Sequence, residues 1–381
     1  MPTISINESQ KLKLSPLAIP SRLLLGPGPS NTHPDVLQAM SQPPVGHLDP
    51  AFLGLMDEIQ SLLRYTWQTE NALTIAMSGT GSAAMEATMA NVIEPGNVVL
   101  IGVAGYFGNR LVDMAERYGA DVITMTKPWG QVFSLDEIRT AVETHRPAIL
   151  ALVHAETSTG SRQPLEGVAE ICHQFGTLLL VDTVTSLGGV PIFLDAWGVD
   201  LAYSCSQKGL GCSPGASPIT MSARAVAKLQ ERSCKVANWY LDMSLLSKYW
   251  GQERVYHHTA PINLYYGLRE ALRLITEEGL SNCWQRHQKN VEYLWEGLED
   301  LGLSMHVEKQ YRLPTLTTVR IPSGVDGKAI ARQLLNEYNI EIGGGLGELA
   351  GQVWRIGLMG FNSRQENVDQ LLTALRQVLY S

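Results

Sequence analysis

From about residue 56 onward, short apolar runs alternate with stretches of helical spacing, and this alternation limits the fold more than any other feature of the chain. Leu73–Met77, Val98–Gly102, Asp121–Met125, Ala148–His154, Leu178–Asp182 and Leu201–Ser204 read as strands. Between them Ser82–Ile93, Arg110–Tyr118, Ser134–Thr144 and Gly167–Phe175 carry helical spacing, and Ser134 with Glu137 forms a capping-box pattern. Strands that alternate with helices imply a mostly parallel sheet covered on both faces, an α/β fold.

After about residue 260 the texture changes. Leu264–Glu278 and Asn282–Leu301 read as helices. They are followed by a strand at Thr315–Ile321, a helix near Asp326–Glu337, a glycine-rich loop at Gly343–Gly347, a strand at Val353–Leu358 and a final helix at Gln365–Tyr380. That pattern is a smaller α+β unit. At the other end Pro16, Pro20, Pro27 and Pro29 exclude a continuous helix. The expected organisation is an N-terminal arm over 1–21, a large domain over 22–278 and a small C-terminal domain over 279–381.

With 45% apolar residues the 381-residue chain has ample material for buried cores. Its net charge of −8 argues against a general nucleic-acid binder, which needs a positive surface. Five cysteines, with no Cys-x-x-Cys pair, argue against a disulfide framework or a structural zinc site. No apolar run approaches the ~18 residues of a membrane span. Met1–Pro20 lacks the apolar core of a signal peptide, and Leu379-Tyr380-Ser381 is no peroxisomal address. A cytoplasmic location, with no membrane or nucleic-acid partner and no metal, is the expectation.

In a parallel α/β sheet, ligands bind beyond the carboxyl ends of the strands. Five such ends carry polar groups here: Ser78-Gly79-Thr80-Gly81-Ser82, Gly105-Tyr106-Phe107-Gly108, Glu156-Thr157-Ser158-Thr159-Gly160, Asp182, and Ser206-Gln207-Lys208-Gly209. The Ser78–Ser82 loop runs into a helix, so it reads either as a phosphate cradle or as a plain strand-to-helix turn with capping hydroxyls. Asp182 closes a buried apolar strand, where a carboxylate is costly unless paired. It reads as a cap, an ion pair, or the partner of a protonated heterocyclic nitrogen. Lys208 alone would be an ordinary loop lysine, but a lysine amine also captures an aldehyde. An aldehyde, a ring nitrogen and a phosphate on one ligand describe pyridoxal 5′-phosphate, whose binding pattern is a Schiff-base lysine with an acidic partner for the ring nitrogen. Phe107 or Tyr106 would cover the ring.

At these residues the chain resembles a known family. Val181-Asp182-Thr183-Val184-Thr185-Ser186 followed by Ser204-Cys205-Ser206-Gln207-Lys208 is similar to class V (subgroup IV) aminotransferases, and within them to alanine–glyoxylate and serine–pyruvate aminotransferases. The likeness covers nearly the whole chain. It extends to Leu25-Gly26-Pro27-Gly28-Pro29-Ser30, Tyr256-His257-His258-Thr259 and Trp354-Arg355-Ile356-Gly357. It implies a fold type I enzyme dependent on pyridoxal phosphate, with small amino acids and 2-oxo acids as substrates. Lys208 would be the catalytic Schiff-base lysine and Asp182 the ring-nitrogen partner. Thr157 would approach the ring hydroxyl, Phe107 would stack on the ring, and Val184 would also contact the cofactor. Thr80, Gly81, Ser82 and Gln207 would hold the phosphate. Tyr256 and Thr259 would reach the phosphate of a neighbouring subunit, which implies a homodimer with shared sites. Arg355 would bind the substrate carboxylate, under an arm near Gly26.

Arg355 also has its own physical case, because a guanidinium inside an apolar strand needs a partner. By the residues alone, a structural ion pair is the first expectation. His257 and His258, adjacent on an extended segment, would point to opposite faces and so would not chelate one ion. His154 reads as a buried, hydrogen-bonded histidine. The chain departs from animal members of the group, which often carry Trp at the Phe107 position and His at Ser82. Three other readings stand beside transamination: a cysteine desulfurase or other class V lyase, which needs a mobile thiol, a nucleotide-binding oxidoreductase using the Gly81 loop, and a non-catalytic carrier that binds pyridoxal phosphate without reacting with an amino acid.

Overall fold

The computed structural model describes residues 11, 12 and 14–380. Part of the expected arm, residues 1–10 and 13, therefore lies outside the described residues, as does Ser381 of the C-terminal tripeptide. Residues 14–22 carry no regular structure, and Leu12, Leu14, Leu17 and Ile19 are exposed.

The larger sheet has seven strands: β1 (Leu73–Ser78), β2 (Val98–Val103), β3 (Asp121–Thr126), β4 (Ile149–Val153), β5 (Leu178–Asp182), β6 (Leu201–Tyr203) and β7 (Ala216–Met221). Their order across the sheet is β1-β7-β6-β5-β4-β2-β3. All are parallel except β7, which runs antiparallel to both of its neighbours. The six strands read from the sequence are present. The seventh is not legible there, because Pro218 inside it lacks an N–H and reads against a central strand. The ladder tolerates it: the Pro218 carbonyl still accepts from the Ser204 amide at 2.9 Å.

Central strand β5 is buried along its whole length, as expected of an almost continuous apolar run covered on both faces. β3, at one edge, alternates in exposure instead. The register aligns the strand ends that matter. Val153 stands opposite Asp182, Asp182 opposite Tyr203, and Ser78 opposite Ala216. Helices Gly81–Val92 and Tyr106–Arg117 start beyond β1 and β2, which brings their N-termini to the same rim. The capping box at Ser134 and Glu137 forms in both directions.

The C-terminal part builds a three-stranded antiparallel sheet with Val353–Gly357 between Leu316–Arg320 and Gly343–Gly344. Helices Leu280–Asp300, Gly327–Tyr338 and Gln365–Tyr380 accompany it. Buried apolar side chains form one main cluster between Val36 and Leu280 and another between Val291 and Val378. The second cluster also takes Leu25. Leu23–Leu24 pairs in parallel with Ile340–Glu341, so the chain passes along the C-terminal unit before entering the large sheet. The turn that leaves this pairing, Gly26–Gly28, lies between the strand carrying Arg355 and the loop carrying Lys208.

Candidate active site

Asp182 ends β5 and is 2% exposed. Its Oδ2 accepts from the Tyr203 hydroxyl at 2.6 Å and its Oδ1 from the Val184 amide at 2.8 Å. Burial pushes the carboxyl up to about 6. The nearby Glu156 charge adds to the rise, while the two hydrogen bonds and the Lys208 charge oppose it.

Lys208 follows β6 in the turn beyond it and is 8% exposed. Its Nζ donates to the Pro27 carbonyl. Burial lowers the amine to about 8, helped by the Arg355 charge and opposed by Cys205, Asp182 and Glu156. Lys208 and Asp182 thus lie close enough to shift each other's protonation. Gly28 makes room for the lysine. Its φ is +117°, and a Cβ there would sit 2.7 Å from Lys208 Cε.

At the end of β1, Thr80 occupies the N-cap of helix Gly81–Val92, yet its side chain makes no capping bond. The capping reading of this hydroxyl is therefore not realised, and the first helical amides keep no side-chain partner from it. Such a terminus favours an anion. Gly81 backs onto Cys205 and Val184, whose side chains would lie 3.1 and 3.5 Å from a Cβ at this position. Ser82 Oγ accepts from Arg110 Nη1 at 3.1 Å. The buried Oε1 of Gln207 has no hydrogen-bond partner. Thr157 and Thr185 share a hydroxyl–hydroxyl bond. The amide of half-buried Phe107 donates to Glu156 at 3.2 Å, and Tyr106 is the more exposed of the two rings.

Arg355 lies in the middle strand of the C-terminal sheet, 6% exposed. Its Nε donates to the Gly344 carbonyl at 2.7 Å and its Nη1 to the Thr157 carbonyl at 3.2 Å. Among the described residues no carboxylate pairs with it, which corrects the expectation of a structural ion pair. Burial lowers it to about 10, with Glu156 opposing, so the guanidinium stays charged at neutral pH. Two of its five N–H groups are occupied, and the others remain for a carboxylate.

A buried lysine of lowered basicity, a buried acid, a helix N-terminus and a buried arginine without an acid partner thus meet at one rim. The family model for class-V aminotransferases matches residues 22–371. The chain belongs to this family. It is 46% identical over 368 residues to the alanine–glyoxylate aminotransferase of Mus musculus, covering 96% of this chain and 89% of that protein. A crystal structure of the alanine–glyoxylate aminotransferase from Nostoc sp. is 83% identical, with a TM-score of 0.98, covering 99% of this chain and 100% of that one. That of ureidoglycine–glyoxylate aminotransferase from Bacillus subtilis is 40% identical with a TM-score of 0.94, covering 96% and 94%.

As a class-V aminotransferase, the protein has the α/β fold of the pyridoxal phosphate enzymes and depends on that cofactor. The residues present fit the group. Asp182 suits a ring nitrogen, Lys208 an aldehyde, and the uncapped helix start beyond Thr80, with its free amides, a phosphate.

The remaining residues of the family pattern are less gathered. Gly26 is buried against the C-terminal sheet: the Gly357 amide donates to the Leu25 carbonyl at 2.9 Å, and a Cβ on Gly357 would strike the Gly26 carbonyl. Tyr256 and Thr259 are exposed, Tyr256 leaning on the His47 ring at 5.1 Å, with no bond to Lys208 or Asp182. His257 and His258 do not point apart as expected. Their Nδ1 atoms lie 2.8 Å from each other because this segment is irregular, not extended. Among the described residues no group of three His, Cys, Asp or Glu is placed to hold a metal ion, and no helix is long and apolar enough to cross a membrane. His154 is buried and bonded to Ser186 Oγ at 3.0 Å.

Sequence reasoning assigned no role to Tyr203, Glu156, Arg110 or Gly28, although Glu156 and Gly28 lie in segments it singled out. The carboxylate of Glu156 is buried and accepts from Ser158 Oγ at 2.6 Å, the Ser158 amide at 3.0 Å and the Phe107 amide. Its place in a polar loop after β4 was the signal. Tyr203 had none, because its partner is set by strand register.

Proposed function

We propose that this class-V aminotransferase moves the amino group of a small amino acid, alanine or serine, to glyoxylate, giving glycine and a 2-oxo acid by a ping-pong course. The observation that carries this reading is the meeting of Lys208, Asp182 and unpaired Arg355 in a chain so similar to alanine–glyoxylate aminotransferases. Bound pyridoxal phosphate supplies the electron sink for the carbanion at the substrate α-carbon.

In this reading Asp182 holds the proton on the ring nitrogen, and Tyr203 and Val184 fix the direction of its carboxylate. Lys208 anchors the cofactor. With the cofactor bound and the lysine amine freed by the donor, Nζ would take the substrate α-proton and return it two bonds away, to the carbon on the other side of the amino nitrogen. An amine near 8 suits that work around neutral pH. Arg355 orients the substrate by its carboxylate, and the carbonyls of Gly344 and Thr157 hold the guanidinium flat for that contact. Thr80, Gly81, Ser82 and Gln207 receive the phosphate, Thr157 and Val184 border the ring, and Phe107 covers it. Gly26 and its neighbours roof the substrate pocket.

The same reading divides the chain into an arm, a large cofactor-binding unit to about residue 278 and a small unit that carries Arg355. The two hydrophobic clusters support the division. Tyr256 and Thr259 serve the site of a second subunit in a homodimer. Their exposure supports this, as does the exposed set of Trp239, Tyr240, Val255 and Tyr256 around His257. Five cysteines without disulfide partners support a reducing, cytoplasmic setting.

A lyase acting through a thiol is disfavoured, since Cys205, Cys212 and Cys283 are buried with burial pushing each thiol up to about 12, and exposed Cys234 sits beside Glu94, past the far end of the helix that starts at Gly81. The test is the visible spectrum of the holoenzyme with alanine, serine or (S)-ureidoglycine, then glyoxylate. Loss of the cofactor band with an amino donor and its return with glyoxylate is expected. Sulfide release from cysteine, or no spectral response to any donor, would reject the proposal.

A further inference from the structure

The reading above leaves one charge unbalanced. Thr80, Gly81, Ser82, Gln207, Tyr256 and Thr259 are all neutral, whereas a phosphate monoester carries about −1.5 to −2 at pH 7. A helix N-terminus offsets only a part, equivalent to roughly half a charge.

Arg110 brings a full charge to this loop. Its Nη1 donates to Ser82 Oγ at 3.1 Å. Its guanidinium carbon lies 4.8 Å from the Phe107 ring centroid and 5.4 Å from that of Tyr106. Among the described residues no carboxylate pairs with it, so its charge is not spent on an ion pair. The helix that bears it is pinned at its start. The Tyr106 amide donates to Ser158 Oγ at 2.9 Å and the Phe107 amide to buried Glu156. Gly105 permits that approach, since a Cβ there would overlap the Glu156 carboxyl group. Phe107 and Arg110, three apart on one helix, share a face. The ring expected over the cofactor and the cation beside Ser82 are therefore set by the same short segment.

We propose that Arg110 balances the charge of the cofactor phosphate, held against the Ser78–Ser82 loop by Ser82 and Phe107. It is a positioning residue that acts through Ser82 and through its field, and the inference rests on the reading of this loop as the phosphate site.

The test separates phosphate from ring. The apoprotein is titrated with pyridoxal phosphate and, separately, with pyridoxal, which keeps the aldehyde and the ring but lacks the phosphate. Arg110→Met should weaken pyridoxal phosphate binding about tenfold or more and leave pyridoxal binding within about twofold, because only the ester carries the charge. Arg110→Lys should recover part of the loss. Binding of the ester by the unaltered protein should weaken with salt, and more steeply than that of the variant. Equal losses for both ligands would show a merely structural role and overturn the proposal, as would unchanged ester binding. Should Arg110→Met fail to fold, Arg110→Lys and the salt dependence decide: a salt response no greater for the ester than for pyridoxal overturns it. Failure of the unaltered apoprotein to take up pyridoxal phosphate at all would instead reject the underlying reading of the site.

Discussion

Tyr203 and Asp182 face each other on adjacent parallel strands, and the Tyr203 hydroxyl donates to Asp182 Oδ2 at 2.6 Å. Burial, reinforced by the Asp182 charge, pushes the phenol well above its ordinary value, so it remains a donor at every working pH. Tyr203→Phe removes that donor. A hydrogen bond to a charged group is worth ~1.5–3 kcal/mol, so turnover should fall by roughly tenfold or more. The lost bond also lets the Asp182 carboxyl rise further above about 6. The acid limb of the kcat/KM profile should therefore move to higher pH, and a pH–rate series on the variant checks it.

Lys208 gives a stability signature in the apoprotein. Its amine sits at about 8 when folded against an ordinary 10.5. Between those values the unfolded chain binds the extra proton, so stability should rise as pH increases through this window. The full difference is on the order of 3 kcal/mol. Denaturant titrations of the apoprotein at pH 7.5 and 10.5, compared with Lys208→Met, should show the rise in the first protein and its absence in the second. The same lysine variant, or Lys208→Ala, should retain the fold and lose transamination.

Arg355→Lys keeps a charge but not the planar fork that bridges Gly344 and Thr157. KM for the amino donor should rise about ten- to a hundredfold, the range of a charged hydrogen bond, while pyridoxal phosphate affinity stays near that of the parent. Steady-state kinetics with a cofactor titration checks both.

Gly28→Ala places a methyl group against the Lys208 stem at a φ of +117°. It should cost about 1 kcal/mol or more in stability and slow capture of pyridoxal phosphate by the apoprotein. Thermal unfolding and stopped-flow absorbance report the two effects. Gly26→Ala meets only ordinary contacts, at 3.7 Å and beyond, and serves as the control.

The main βα alternation was legible because a buried parallel strand and an amphipathic helix each write a period into the chain. All six strands read from that period are present in the large sheet, and helix Gln365–Tyr380 has the bounds expected of it. Pro218 hid β7, because a strand needs ladder bonds that the chain cannot announce by periodicity. Lys208 and Asp182 were also legible, since each breaks an apolar or glycine-rich pattern at the end of a strand.

The partners of these groups were not. By its local residues alone, apart from the family likeness, Arg355 read as one half of an ion pair, and folding gave it two carbonyls from distant segments instead. Tyr203 meets Asp182 only through register, and Gly28 meets Lys208 only because the N-terminal strand pairs with Ile340–Glu341 first. Sequence alone determined which chemical groups stand at strand ends, because burial and periodicity are local properties of the chain. Tertiary structure alone decided which group faces which, because strand order, register and the path of the N-terminal segment join residues that no local pattern relates.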